Sequence, residues 1–404
     1  MKFVFHILPA YPATPEERQR LAPIAHRTDK TQEMLDEMLD ITQHCENLGF
    51  DVVTFSEHHF YTEGCEAGAT PTPHLIRLLQ NTKRIKIGPL GFVLPTWDPI
   101  RLALDVAWAD QMSQGRVICG LARGVFPRWV NVLGQHYGVK LGGSGTEADD
   151  HNREVFEELF QVIKLAWKDE PFSFNGKYYK VPNPPEGHFW APHEATKRFG
   201  AAGELTGDQL TKLSAVPKPY QKPHPEVWQA FTASDKTIRW DARQGVAPMV
   251  FAPFPDGTLK AFRAYQEEAE KAGRSLKLGQ GIGTCQFVYI ANDRTEARRL
   301  MDSGSYFVFE NFHSKVDKNI PPKAEALLGL KMAVAGTVDD VRRRLAEIQE
   351  TLNPEYFLWL GDQGYLTRDE MKRELELFAT KVMPEFQERE TPRSASLEQA
   401  GASK

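Results

Sequence analysis

Residues 51 to 60 read Asp51-Val52-Val53-Thr54-Phe55-Ser56-Glu57-His58-His59-Phe60. The first six have the period-two character of a β-strand, and the run stops abruptly on a carboxylate and two imidazoles. In a parallel α/β barrel the carboxyl ends of the strands form the catalytic face, so titratable groups delivered to a strand tip are better candidates for chemistry than for stability. The same parity turns Val53 and Phe55 toward a helical shell and Thr54 and Ser56 toward the interior. It points His58 inward and His59 away.

Outward from this strand, short β-branched and aromatic runs alternate with amphipathic stretches, the pattern of repeated βα units. Predicted strands are 2–8, 51–56, 86–94, 116–121, 226–231, 247–251, 276–290 and 355–360, most of them followed by a helix. Asp98-Pro99 reads as an N-cap with proline in the first turn. Asn175-Gly176 marks a hairpin within 172–181. Between about 182 and 220 the periodicity gives way to Pro, Gly, His and charged residues, and a stretch of this kind in a compact domain is usually functional or disordered. It is read as an insertion that covers the barrel mouth. A second irregular stretch spans 306–330. The expected fold is a single-domain (β/α)8 TIM-like barrel over 1–388, with 182–220 as lid and a disordered tail over 389–404.

Composition narrows the partners. The chain has 404 residues, 41% of them hydrophobic, and a net charge of −5 with the two signs interspersed, which argues against a nucleic-acid surface or a basic membrane anchor. A small-molecule partner is the default. Cys45, Cys65, Cys119 and Cys285 are far apart and form no metal or disulfide pattern. They read as reduced thiols, and with no leader or spanning segment recognisable the protein is expected in the cytoplasm.

Two constellations carry chemistry. At the strand tip, His58 is expected to act as an acid/base group, with Glu57 and His59 beside it; the plainer reading is a strand-end histidine bonded to Glu57 or to backbone. Neighbouring residues on a strand face opposite ways and close poorly on one ion, so no metal is expected. The second constellation suits an anion. Arg123 lies on a glycine-relieved loop after the fourth strand, Arg153 near the start of the following helix, and Thr232-Ala233-Ser234-Asp235-Lys236-Thr237 opens another helix whose free amides and hydroxyls can hold a phosphate. Ser234 as a simple N-cap and the arginines as surface ion-pair members remain the alternative. The Gly88-to-Pro95 segment permits either close approach to a flat ligand or tight strand packing.

Taken together, Ser56 to Phe60, Gly91 to Thr96, Asp98 to Arg101, Asp110 to Arg116, Ala122 to Gly124, Asn152-Arg153, Phe174 to Tyr179 and Ser234 to Trp240 resemble the bacterial luciferase-like flavin monooxygenase family, over about residues 1–180 and 217–385. The resemblance implies a TIM-like barrel that uses reduced FMN and O2 to oxygenate an apolar organic substrate through a flavin hydroperoxide. It implies that His58 is the base, with His59 as the second imidazole of the motif. Arg123, Arg153, Ser234 and Thr237 would contact the phosphate, and Leu90 and Gly91, often joined by a cis peptide, would back the flavin ring. Ala122 stands where the luciferase subunit has a reactive thiol, and the 182–218 insertion has no counterpart there in this form. An apolar chamber lined by Phe5, Phe60, Phe92, Phe126, Trp228 and Phe251 is expected. With no Gly-x-Gly-x-x-Gly fingerprint after a strand, electrons are expected from a separate flavin reductase. A homodimer also follows from the resemblance. Two other readings stay open: a deazaflavin-dependent hydride transferase of the same fold, and a non-catalytic flavin-binding subunit.

Overall fold

The parallel barrel is built from the strands Lys2–Ile7, Val52–Phe55, Lys86–Pro89 continued by Phe92–Val93, Ile118–Ala122, Glu226–Thr232, Ala247–Val250, Gly283–Ile290 and Tyr356–Leu360. The computed structural model describes residues 1–304, 324–362 and 365–387. The Lys2–Ile7 strand lies between Val52–Phe55 and Tyr356–Leu360, and the sheet runs on through Gly283–Ile290, Ala247–Val250 and Glu226–Thr232 to Ile118–Ala122. The third strand closes the ring, because it pairs with Val52–Phe55 through its first half and reaches the fourth through Ile87↔Val117 and Phe92↔Leu121. An extra strand, Ala333–Gly336, adds to the carboxyl half of Gly283–Ile290.

The parity expected for the second strand holds. Phe55 meets the ring of His74, on the helix Pro71–Gln80, at 6.2 Å, while Thr54 bonds His6 across the sheet. Helix starts follow their caps: Asp98 accepts the Arg101 amide at 2.9 Å to open Pro99–Ser113, and Thr146 accepts the Asp149 amide to open Glu147–Trp167. The latter helix begins well before Arg153, which was expected near its start, because Thr146 and the acidic first turn of Glu147, Asp149 and Asp150 complement the free amides and the helix dipole. The seventh strand starts at Gly283 rather than 276, since Gly279 and Gly281 adopt positive φ and turn the chain beforehand. The strand Ala333–Gly336, which was not expected, follows just beyond the stretch 306–330 read as irregular.

Residues 182–220 are not structureless. They hold a small antiparallel sheet of His188–Phe189, Leu205–Thr206 and Gln209–Leu210, with a helix His193–Phe199. The return segment is tied down by Leu213 pairing with Phe172, by Lys218 Nζ donating to the Ala166 carbonyl, and by Gln221 bonding Asp110 and the Val117 carbonyl. These anchors sit at the amino end of the barrel, opposite the mouth, so a covering role rests on the body of the insertion alone. The expected tail and most of 306–330 lie outside the described residues. Among the described residues no helix is long and apolar enough to cross a membrane.

Candidate active site

Glu57 is the fixed point of the strand tip. Its buried carboxylate accepts the Val93 amide at 2.7 Å, the Trp97 indole N–H at 3.1 Å and a bond from His59 Nε2 at 2.8 Å. It therefore staples the second strand to the far side of the Leu90–Gly91 break and holds His59 against Trp129, their rings 5.0 Å apart. Each of these partners loses a charge-assisted bond if the carboxylate is removed. Glu57→Ala is expected to lower the unfolding free energy by about 2–3 kcal/mol in urea denaturation, and the isosteric Glu57→Gln by less.

His58 faces the other way. Its Nε2 lies 2.9 Å from Glu66 Oε2, and its ring packs on Phe126 at 5.4 Å, with Tyr61 and Trp129 slightly farther. Among the described residues its buried Nδ1 meets no protein partner, and neither does the buried Ser56 hydroxyl. Buried polar atoms normally find a partner, so these two mark a place for a polar ligand or water.

His6, on the first strand, belongs to the same chamber. It is fully buried, with Nδ1 2.8 Å from the Thr54 hydroxyl, Nε2 without a partner among the described residues, and its ring edge-on to Phe231 at 5.1 Å. Burial pushes this imidazole down to about 3; the Glu66 carboxylate opposes the shift and His58 adds to it. The folded value lies below the unfolded one near 6.5, so the unfolded chain binds the extra proton in that window. Stability then falls as the pH drops from 6.5 toward 3, and His6 contributes no slope above 6.5. Between about pH 7 and about pH 5 the wild type should lose about 2 kcal/mol more than His6→Asn in urea titrations.

The Leu90–Gly91 peptide is cis. The glycines around it answer the choice between ligand approach and strand packing. A Cβ on Gly91 would lie 2.6 Å from the Leu121 backbone, one on Gly88 2.0 Å from the Ile118 carbonyl oxygen, and one on Gly120 2.1 Å from the Pro89 carbonyl oxygen. Close approach of the third and fourth strands explains them. The aromatic list needs sorting as well. Phe126 and Phe251 stand by the interior, Phe251 beside Phe287. Phe5 packs outward on Phe50 and Trp359 because its neighbour His6 takes the inward position, and Trp228 packs at a tilt against Tyr356 deep in the barrel.

The expected anion residues converge. Arg153 is buried and donates from Nη1 to the Thr237 hydroxyl at 3.1 Å, leaving Nε without a partner among the described residues. Arg123 donates to Asp149 at 2.7 Å, and its carbonyl accepts from Asn152. Burial and the nearby Arg123 charge both push the Arg153 guanidinium below its ordinary value. Burial opposes ionisation of Asp149, yet the Arg123 hydrogen bond holds that carboxyl below the usual range. Ser234 opens the helix Asp235–Gln244 without using its hydroxyl as a cap, and Ala233 beside it is exposed. Two crowded guanidiniums, an unused hydroxyl and the first free amides of a helix suit an anion with several acceptor oxygens. An FMN phosphate fits this donor set.

Other members of the two sites were not legible in the sequence. Asp241, one helical turn after Thr237, is fully buried, and among the described residues neither carboxylate oxygen meets a hydrogen-bond donor. Burial drives its pKa well up, against the pull of Arg153 and Arg123. Its i,i+4 spacing from Thr237 was the available signal. Glu66 lies in an aperiodic loop that gave none. Elsewhere among the described residues, His193, Glu194 and Asp208 bring ligand atoms within 4.8 Å of one another on the insertion. The Lys197 ammonium already sits 3.0 Å from Glu194 and 2.8 Å from Asp208.

Residues 19–353 match the family model described as luciferase-like monooxygenase. The chain belongs to the luciferase-like monooxygenase family. As a luciferase-like monooxygenase it works with FMN and dioxygen. Among its relatives, the oxygenase component of flavin-dependent trigonelline monooxygenase from Acinetobacter baylyi is 23% identical over 385 residues, 90% of this chain and 93% of that one. The 3,6-diketocamphane 1,6-monooxygenase of Pseudomonas putida is 26% identical over 275 residues, 66% of each chain. A solved structure of the oxygenating constituent of 3,6-diketocamphane monooxygenase from Pseudomonas putida, in complex with FMN, shares the fold of this luciferase-like chain. It superposes with a TM-score of 0.71 at 19% identity, covering 96% of this chain and 99% of that one.

Proposed function

We propose that this luciferase-like monooxygenase is the oxygenating half of a two-component system. It receives reduced FMN from a separate reductase and inserts one oxygen atom of O2 into a small apolar organic substrate. The observation that carries the reading is a pair of sites on one barrel: an imidazole with a free buried nitrogen, and an anion pocket with an unused guanidinium N–H. Arg123, Arg153, Ser234 and Thr237 would hold the phosphate, with Ala233 allowing close approach. Leu90 and Gly91 would back the ring system, and His58 would accept a proton beside it while Glu57 and His59 keep the strand tip rigid. When bound, reduced FMN supplies the two electrons that activate oxygen. Phe126 and Phe251 would keep water from the reacting groups.

Two relatives are described as an oxygenase component and an oxygenating constituent, which supports the separate reductase. A homodimeric, cytoplasmic enzyme completes the reading; light scattering on the purified protein tests the dimer. For the activity, anaerobically reduced FMN is mixed with protein and air. Enzymatic oxygen uptake above the free-flavin rate, with transfer of label from isotopic O2 into an apolar probe, is the expected result. Uptake no faster than free flavin, with no label transferred, would remove the reading.

A further inference from the structure

His6 has no part in the flavin chemistry just described, yet it is built as a ligand-binding side chain. Its register partners are Thr54 on one side and Leu360 on the other, and Leu360 is level with Phe287. Phe231 covers one edge of the ring. The imidazole is therefore a buried polar group with Phe231 and Leu360 as apolar neighbours and with the Glu66 carboxylate and His58 within electrostatic reach, and among the described residues one of its nitrogens is unpartnered.

The Thr54 hydroxyl decides which nitrogen carries the proton. That hydroxyl is also fully buried, and among the described residues its one side-chain hydrogen bond is to His6 Nδ1. Were it to accept from Nδ1–H, its own proton would be left buried without an acceptor, at a cost of about 1–3 kcal/mol. Donating to Nδ1 satisfies it and places the ring proton on Nε2. The ring stays neutral near pH 7, so Nε2–H is a fixed, uncharged donor.

We propose that His6 Nε2–H is the hydrogen-bond donor that orients the substrate, through a single oxygen acceptor on an otherwise apolar molecule such as a ketone or aldehyde. The proposal rests on the monooxygenase reading and names the group that recognises its substrate. A neutral donor suits an uncharged oxygen, whereas an imidazolium would cost desolvation and favour anions. Phe231, Phe287 and Leu360 supply the apolar contact that holds the rest of the molecule.

The test needs no turnover at first. Protein labelled with 15N-histidine is titrated with cyclohexanone, with methylcyclohexane and with FMN, and the His6 signal is identified by its absence in His6→Gln. The expected result is an Nε2-protonated ring whose Nε2 signal moves with the ketone and not with the hydrocarbon or with FMN. An Nδ1-protonated ring, no response to the ketone, or the same response to FMN would overturn the proposal.

Kinetics supply the second arm. In His6→Phe, oxygenation of a cyclic ketone or long aldehyde should fall ~10–10²-fold in kcat/KM, while oxygenation of an apolar thioether, which needs no carbonyl contact, stays within ~3-fold. His6→Gln, which keeps a donor, should recover part of the loss. An equal fall for both probes would make His6 a packing residue and overturn the proposal. A wild-type protein that oxygenates neither probe, while its NMR response to the ketone persists, counts against the monooxygenase reading and leaves the His6 contact standing.

Discussion

Replacing His58 with alanine should lower turnover ~10²–10⁴-fold, the range expected for loss of a positioned proton-transfer group, while FMN affinity stays within ~3-fold. The split follows from the geometry. His58 Nδ1 is free and buried at the strand tip, and Nε2 faces Glu66, so the ring is held from one side and open on the other. None of the anion-pocket donors bonds to it, so phosphate binding should not feel the change. The ring does pack on Phe126, Tyr61 and Trp129, so some loss of stability is expected as well. His58→Gln, which keeps more of the volume, separates that packing cost from the chemical one: its melting temperature should stay near wild type while turnover remains low. Rapid-mixing kinetics together with flavin titration make the measurement. Unchanged turnover in both variants would remove His58 from the mechanism.

Arg153→Ala should weaken FMN binding ~10²–10³-fold and leave riboflavin binding unchanged within ~3-fold, because truncating one member of a buried, hydrogen-bonded charge pair costs about 2–5 kcal/mol. Riboflavin lacks the phosphate and is the internal control. Arg153 is the buried member of the arginine pair, bonded to Thr237 and with Nε unused, so it has the most to give to a phosphate and the least solvent to compete for it. Arg123, already paired with the ionised Asp149 and partly exposed, should matter less, ~10-fold on alanine substitution. Arg153→Lys keeps the charge but loses the planar fork and should fall between the two. Asp241 also responds, since its burial is offset in part by the Arg153 charge. The alanine variant should therefore leave Asp241 protonated rather than unfold the barrel. Fluorescence titration with the two flavins reads the difference.

Much of this was legible because it depends on local chemistry. The alternation of residues 51 to 56 gave the inward face, and the structure answers with the Thr54–His6 bond. The residues flanking the fourth and fifth strands were expected to come together, and Arg153 and Thr237 do meet. Groups placed by tertiary contact left less trace. Glu66 comes from a loop held by the buried Arg18 guanidinium, which donates to the carbonyls of Tyr11, Glu63 and Gly64, and no pattern at residues 61 to 70 foretells it. Asp241 carries the sequence signature of an ordinary helical carboxylate, and its importance comes from complete burial. The glycines of the third strand could be read two ways until the positions of Leu121, Ile118 and Pro89 decided for strand packing. The insertion looked like a lid because it is long and irregular, yet its anchors at Asp110, Val117 and Ala166 are set by the return to the amino end of the next strand.

One bound flavin should span both constellations, with its phosphate at the arginine pair and its ring at the strand tip. A crystal structure with FMN tests it most directly. The account predicts phosphate oxygens within hydrogen-bond reach of Arg153 and Thr237, and the ring system against Leu90 and Gly91 with His58 beside it. A phosphate held elsewhere, or a ring system out of contact with His58, would contradict it.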